Sequence, residues 1–201
     1  MPRAVGISLI AVLIFPAAGY ATKGISIGLG TEYSPMSKVE FGNPVVNSYE
    51  IYDNMTIESG LYYNFSSGFR TGVIVSLFNK NINTDYSDSD ISSWGVGVLG
   101  DYEYEITESG STKLVFGMDT GYSRFKENSY TNRSDESYWA AFFGGVRYFF
   151  SSRYFFEFDY RMKWQEYDLL GVPPKTYKFS GSTLRLALGY GFLSDDDSAE
   201  R

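Results

Sequence analysis

From residue 24 onward, apolar and polar side chains alternate with period 2, and no useful length carries the 3.6-residue period of an amphipathic helix. Eight segments predict strands, near 24–33, 55–65, 69–78, 93–104, 113–123, 138–150, 154–164 and 183–192. Short and long connections take turns between them. Ser66-Ser67-Gly68, Glu108-Ser109-Gly110-Ser111 and Ser151-Ser152 are tight turns, whereas 34–54, 79–92, 124–137 and 165–182 are long, polar and predicted as loops.

Sorting each strand by parity separates two faces. One carries residues such as Ile25, Ile27, Leu29, Val73, Val75, Val96, Val98, Phe116, Phe156, Phe158, Leu184 and Leu186. Over these windows it has 45 positions and no charged residue. A chain that is 20% charged would place about nine there. The other face holds thirteen charges: Glu32, Glu58, Arg70, Asp101, Glu103, Lys113, Asp119, Arg147, Glu157, Asp159, Arg161, Lys163 and Arg185. Strand six fits least well, because Trp139, Phe143 and Phe149 fall on its polar side, and a bulge there would flip part of the assignment.

Alternation does not say which face meets solvent, but volume does. Twenty aromatic side chains lie on the apolar face and six on the other, while twelve in-strand glycines lie on the polar face and two on the apolar one. An eight-stranded barrel has room inside for only a modest filling of side chains, so the bulky face points outward. An outward apolar band needs hydrocarbon around it, and only a closed barrel satisfies strand backbone there. The expectation is an all-β fold: one eight-stranded antiparallel up-and-down transmembrane β-barrel with an apolar exterior and a polar, plugged lumen. Tyr and Trp near strand ends suit interfacial girdles. A soluble barrel or sandwich, lipocalin-like with ligand inside, is the alternative for a secreted all-β chain.

Residues 1–21 read as a cleaved signal peptide: Arg3, an uncharged run from Ala4 to Phe15, and Gly19-Tyr20-Ala21 before a cut at Thr22. The barrel domain is then 22–193, with a short acidic periplasmic tail at 194–201. The chain has no Cys and no His, which removes disulfides, thiolate chemistry and every His-dependent mechanism. A net charge of −7 argues against a nucleic-acid surface.

The last strand, Arg185-Leu186-Ala187-Leu188-Gly189-Tyr190-Gly191-Phe192, carries a polar residue followed by aromatics at alternate positions. With the eight-strand pattern, it resembles the small outer-membrane barrels, the OmpA/OmpX-like and opacity-type surface antigens. The resemblance implies that Arg185, Tyr190 and Phe192 form the terminal-strand signal read by the outer-membrane assembly machinery. It also implies residence in the bacterial outer membrane among lipid and lipopolysaccharide. The chain departs from that pattern at Ala187, where glycine is usual, and in the nine residues that follow Phe192. The tail is too short for an added peptidoglycan-binding domain.

The lumenal charges, seven acids and six bases, predict a paired structural network rather than a one-signed conduction path. Asp101/Glu103 and Glu157/Asp159 are the carboxylate pairs that acid–base chemistry would use, but each sits beside bases that suit salt bridges better. No catalytic residue, cofactor or metal is assigned. Asp85, Asp88 and Asp90 match no calcium loop, and the Asn-x-Ser/Thr triplets at Asn54, Asn64 and Asn132 carry no glycosylation meaning in a bacterial barrel. Leu169 to Pro174 is an apolar, proline-stiffened loop tip. The expected function is non-enzymatic: a surface antigen, adhesin or envelope component acting through four long loops toward an extracellular ligand. A narrow solute or ion channel is the second reading, and a lipid-modifying enzyme a more distant one.

Overall fold

The computed structural model describes residues 24–42, 45, 47–65, 67–84, 87–128, 132–171 and 174–192. The predicted signal peptide and acidic tail lie outside the described residues. The strands are β1 (Gly24–Phe41), β2 (Asn47–Asn64), β3 (Phe69–Thr84), β4 (Ser87–Glu105), β5 (Thr112–Asn128), β6 (Arg133–Phe149), β7 (Tyr154–Leu169), β8 (Lys175–Lys178) and β9 (Gly181–Gly191). β8 and β9 hold one register against β7, with Glu166 opposite Lys178 and Lys163 opposite Gly181, so together they make the eighth stave. Against β1 that stave carries one extra residue. Tyr33 to Lys38 is five steps and Leu184 back to Lys178 is six, a bulge at Phe179-Ser180. Ser180 Oγ accepts from the Gln165 amide at 3.0 Å there. Every pairing is antiparallel, and β8 and β9 close onto β1, leaving an eight-stave barrel.

The two faces sort as volume required. Ile27, Leu61, Val73, Val98, Phe116, Phe158 and Leu186 stand exposed on the outside, while Arg70, Arg147, Arg161 and Arg185 are among the most deeply buried side chains. A water-soluble barrel would have the opposite arrangement. Tyr33, Trp94, Tyr138 and Trp164 ring the band toward the long hairpins, and Tyr63, Tyr102, Tyr104 and Tyr154 ring it toward the short turns. Val98 lies midway between Trp94 and Tyr102 on its strand, 55% exposed. Val98→Arg is expected to cost about 2–4 kcal/mol of bilayer-measured unfolding free energy, as an arginine at the hydrocarbon midplane does. Arg at Asn81, outside the band, should be near neutral.

Two expectations need correction. Strand six has no bulge: β6 holds one register against β5 from Thr112↔Tyr148 to Glu127↔Arg133, and one against β7. Trp139, Phe143 and Phe149 simply point into the lumen. Glycines opposite make the room: a Cβ on Gly121 would lie 2.2 Å from the Trp139 ring, and one on Gly117 2.6 Å from Phe143.

The second correction concerns the long loops, most of which are strand. The hairpins run on to Phe41/Asn47, Thr84/Ser87, Asn128/Arg133 and Leu169/Lys175, leaving short tips. Alternation persists in them with its sign reversed. Lys38, Arg124, Lys126, Glu166 and Asp168 face out, and Val39, Ile91, Phe125, Tyr167 and Leu169 face in. Outside the membrane the exterior solvent is water, so polar residues belong there and apolar ones inside. β1 and β2 swap parity at the changeover, where Pro35, which lacks an N–H, and Asp53, at φ +57°, drop out of an otherwise continuous ladder.

Beyond the band the wall also divides. β2–β3 pairing stops at Thr56↔Phe78 and β6–β7 pairing at Trp139↔Gln165. Past those points β3 to β6 form one sheet, and β7, β8, β1 and β2 form another. Side chains stitch the seams: Lys80 Nζ donates to the carbonyls of Tyr52 and Asp53, and Asp135 accepts from the Asp168 amide at 2.7 Å. The two sheets close on an apolar core of Val39, Ile51, Phe78, Ile91, Phe125, Tyr167, Leu169 and Tyr177.

Candidate functional site

Among the described residues, chemically active side chains gather in the lumen, which is filled in four levels. At the short-turn mouth Phe149 and Phe155 pack together, their rings 5.5 Å apart. Lys113 Nζ lies over Phe149 and the Arg147 guanidinium over Phe155, each at 5.2 Å.

Above them all thirteen lumenal charges join in one web. Its first tier is balanced: Arg70, Lys113 and Arg147 against Asp101, Glu103 and Glu157. Arg70 Nε reaches Asp101 at 2.7 Å, Lys113 Nζ reaches Glu103 at 2.9 Å, and Arg147 Nε reaches Glu157 at 2.7 Å. Arg147 also pairs with Glu103. Glu157 is the hub, since Arg70, Arg147 and Arg185 all converge on it.

The second tier sets Arg161, Lys163 and Arg185 against Glu32, Glu58, Asp119 and Asp159. Arg161 meets Asp159 at 2.6 Å, Asp119 at 3.0 Å and Glu58 at 3.4 Å. Arg185 meets Glu58 at 2.6 Å and Asp159 at 3.0 Å, and Lys163 meets Glu32 at 2.9 Å. Aromatic partners fix the tier laterally: Trp139 Nε1 donates to Asp119 at 2.7 Å, and Arg185 donates to the Tyr62 hydroxyl at 3.1 Å. β7 supplies two acids, Glu157 and Asp159, then two bases, Arg161 and Lys163, at successive inward positions; the acids meet arginines on the adjacent β6 and β9, and the bases reach across the lumen to acids on β1, β2 and β5.

The third level is a small polar chamber of about 30 Å³, between the web and the apolar core, with Glu32, Asn54, Ser76, Lys163 and Thr183 in its wall. The fourth is the apolar core itself, which also holds the buried Glu127 paired with Lys175. Sequence reasoning missed this fourth level, although the inverted alternation of 124–128 and 165–169 carried the signal.

The other sequence candidates disperse. Asp101/Glu103 and Glu157/Asp159 are engaged by arginine or lysine on every carboxylate. Asp90 is exposed at the foot of its hairpin, while Asp85 and the Asp88 side chain lie outside the described residues. Asn54 is buried in the lumen, with Nδ2 donating to Ser37 and to the Ile51 carbonyl. Asn64 donates to Gly24 O and Ser26. Leu169, expected at a loop tip, is buried in the apolar core because it faces inward on β7, whereas its neighbour Leu170 is almost fully exposed. Val172 and Pro173 lie outside the described residues. On the last strand Arg185 points into the lumen, while Tyr190 packs against Tyr154 on the outer wall, centroids 5.0 Å apart. Phe192 stands exposed there, its amide donating to Ile25 O at 2.7 Å.

No family model matches the chain, and no curated protein matches it in sequence. Solved structures do resemble it in fold. The outer membrane protein OprG from Pseudomonas aeruginosa superposes with a TM-score of 0.60 at 14% identity, covering 88% of this chain and 99% of that one. Neisserial surface protein A gives 0.57 at 14% identity, covering 86% and 99%. Ail, the attachment invasion locus protein of Yersinia pestis, gives 0.51 at 15%, covering 85% and 99%. Ail is also known in complex with the heparin analogue sucrose octasulfate. The fold of this chain is that of the small eight-stranded outer-membrane barrels.

Proposed function

We propose that the protein resides in the bacterial outer membrane as a non-enzymatic, sealed barrel that displays its folded outer extension to the cell exterior, as a surface antigen, adhesin or structural component of the envelope. The observation that carries this is the double closure of the lumen. A web in which each lumenal acid and base meets an opposite charge, and an aromatic core, stand in series, so among the described residues no wide aqueous path runs along the axis. Each acid that acid–base chemistry would need is neutralised by a neighbour. Exposed polar positions on the outer hairpins, such as Asn79, Asn81, Asp90, Lys126 and Asn128, supply a hydrogen-bonding surface for an extracellular ligand. Ail, a structural neighbour described as an attachment protein and bound to a heparin analogue, favours the adhesin branch of this reading. Lipid and lipopolysaccharide surround the apolar band. The outward Tyr190 and Phe192 are the part of the terminal strand available to the assembly machinery, with Arg185 anchoring that strand to the lumen.

Purified protein in planar bilayers should give no steady conductance steps. Reproducible unitary steps would favour the narrow-channel reading instead, in which the web opens as a gate.

A further inference from the structure

Just above the membrane band the outer wall differs from side to side. On β5 the outward residues that follow the girdle Tyr122 are Arg124 and Lys126, whereas on β7 those that follow Trp164 are Glu166 and Asp168. Each two-residue step along a strand tilted by about 40° climbs about 5 Å, and the headgroup layer of a leaflet is about 5–8 Å deep. Arg124 and Lys126 therefore stand at the depth of the lipid headgroups. The lysines of the far wall are engaged elsewhere, since Lys38 and Lys178 both reach Glu40 at 2.9 Å. Lys126 has no acid across from it: its register partners are Ser92 and Ser134. Arg124 lies opposite Trp94 and Glu136, and Glu136 comes no nearer than 4.0 Å, with both side chains about half exposed. Water screens such a pair and leaves most of the guanidinium donors open.

Beneath the two bases, Trp94, Tyr122 and Tyr138 form a continuous ledge, with ring centroids 6.1 and 5.7 Å apart. Tyr138 is 78% exposed, so its ring is open to a ligand lying on the wall. Asn79, Ser92 and Ser134 share one cross-strand row with Lys126 and add amide and hydroxyl groups beside the charge. We propose that this face of β3 to β6 binds the phosphorylated sugar headgroup of a lipopolysaccharide molecule in the surrounding leaflet, with Arg124 and Lys126 closing on one phosphate. The proposal rests on the outer-membrane reading above and assigns a partner to one side of the outer wall. Two long cationic side chains about 7 Å apart on one strand face can converge on a single phosphate, Arg through its planar fork and Lys as a point charge. The row of amides and hydroxyls matches the sugar hydroxyls, and the ledge receives the apolar faces of the sugars and the first acyl carbons. Glu166 and Asp168 repel phosphate at the same depth on β7, which confines the site to the β5 side.

The test places the folded barrel in phosphatidylcholine nanodiscs containing rising mole fractions of lipid A and follows its amide resonances. Signals of Ser92, Arg124 and Lys126 and the indole N–H of Trp94 should shift and saturate, while those of Glu166 and Lys178 on the far wall stay still. Lipid A stripped of its phosphates should produce no such shift. Arg124→Ala combined with Lys126→Ala should raise the mole fraction needed for half-saturation at least tenfold, as the loss of charge-assisted contacts requires. Lys38→Ala combined with Lys178→Ala should leave it unchanged. Equal shifts with phosphorylated and stripped lipid A, or equal shifts on both walls, would overturn the proposal and leave ordinary lipid packing around the band. The same shifts produced by inorganic phosphate alone, at equal concentration, would overturn the lipid as the source of the anion. A chain that does not insert into the nanodiscs at all would overturn the outer-membrane reading, and this site with it.

Discussion

Glu157→Ala should be among the most damaging single substitutions in this barrel, lowering its unfolding free energy in lipid by about 3–5 kcal/mol. Three guanidiniums, from Arg70, Arg147 and Arg185, converge on that one carboxylate, which is 1% exposed. Truncation leaves three bases, Arg70, Lys113 and Arg147, against two acids in the first tier, all of them buried or nearly so. The web's net contribution is a separate matter, since an intact buried ion network is weak evidence for stability while a broken one is expensive. Arg147→Met made together with Glu157→Ala should therefore cost clearly less than the sum of the two singles, because the residue left without its partner is then gone as well. Urea titration in vesicles, followed by Trp94, Trp139 and Trp164 fluorescence, reads both effects. A loss below about 1 kcal/mol for Glu157→Ala would mean that water reaches the tier and screens it.

How much of this was legible beforehand follows one physical rule: a pattern can be read when the solvent on each side is known. Within the band the exterior is hydrocarbon, and the absence of charge on one parity located the faces, the closure and all thirteen lumenal charges. Arg161 and Phe158 lie on opposite sides of the wall, as their parity required. Past Trp94 and Trp164 the exterior becomes water and the same parity means the reverse. Lys126 and Asp168 outside with Phe125 and Tyr167 inside is ordinary strand patterning for a soluble sheet, yet it looks like loss of pattern to a reader following the membrane sign. Strand six was ambiguous for a different reason. Trp139 and Phe143 are lumenal because Gly97, Gly117 and Gly121 on the neighbouring staves vacate the space they occupy. That compensation is between strands and leaves no mark within any one of them. The chamber was the least visible feature, because Asn54 lies where β2 has just changed parity and its orientation is set by Pro35 and Asp53 next to it.

Phe125→Ala tests the region where sequence and structure differ most. Phe125 is fully buried where the two outer sheets meet, stacked on Tyr167 at 4.8 Å and packed on Tyr177 at 4.7 Å and Phe179 at 5.8 Å. Removing the ring opens a cavity between sheets that no longer share backbone pairing at the β2–β3 and β6–β7 seams, and a cost of about 3–5 kcal/mol follows. That loss should stay local, in contrast to the damage at Glu157. The band is held by a closed ladder that Phe125 does not touch, so the outer hairpins are expected to open as a unit while the membrane part stays folded. Limited proteolysis on intact cells should then cut within 79–92, 124–137 or 165–182 at least tenfold faster than in the unmodified protein, with no change in the heat-dependent gel mobility of the barrel. Unchanged proteolysis would mean that these hairpins are solvated loops after all and that the aromatic core does not hold the two sheets together. Cutting accompanied by loss of the folded barrel would mean that outer core and band form one cooperative unit, with the seams too well stitched by Lys80 and Asp135 to part.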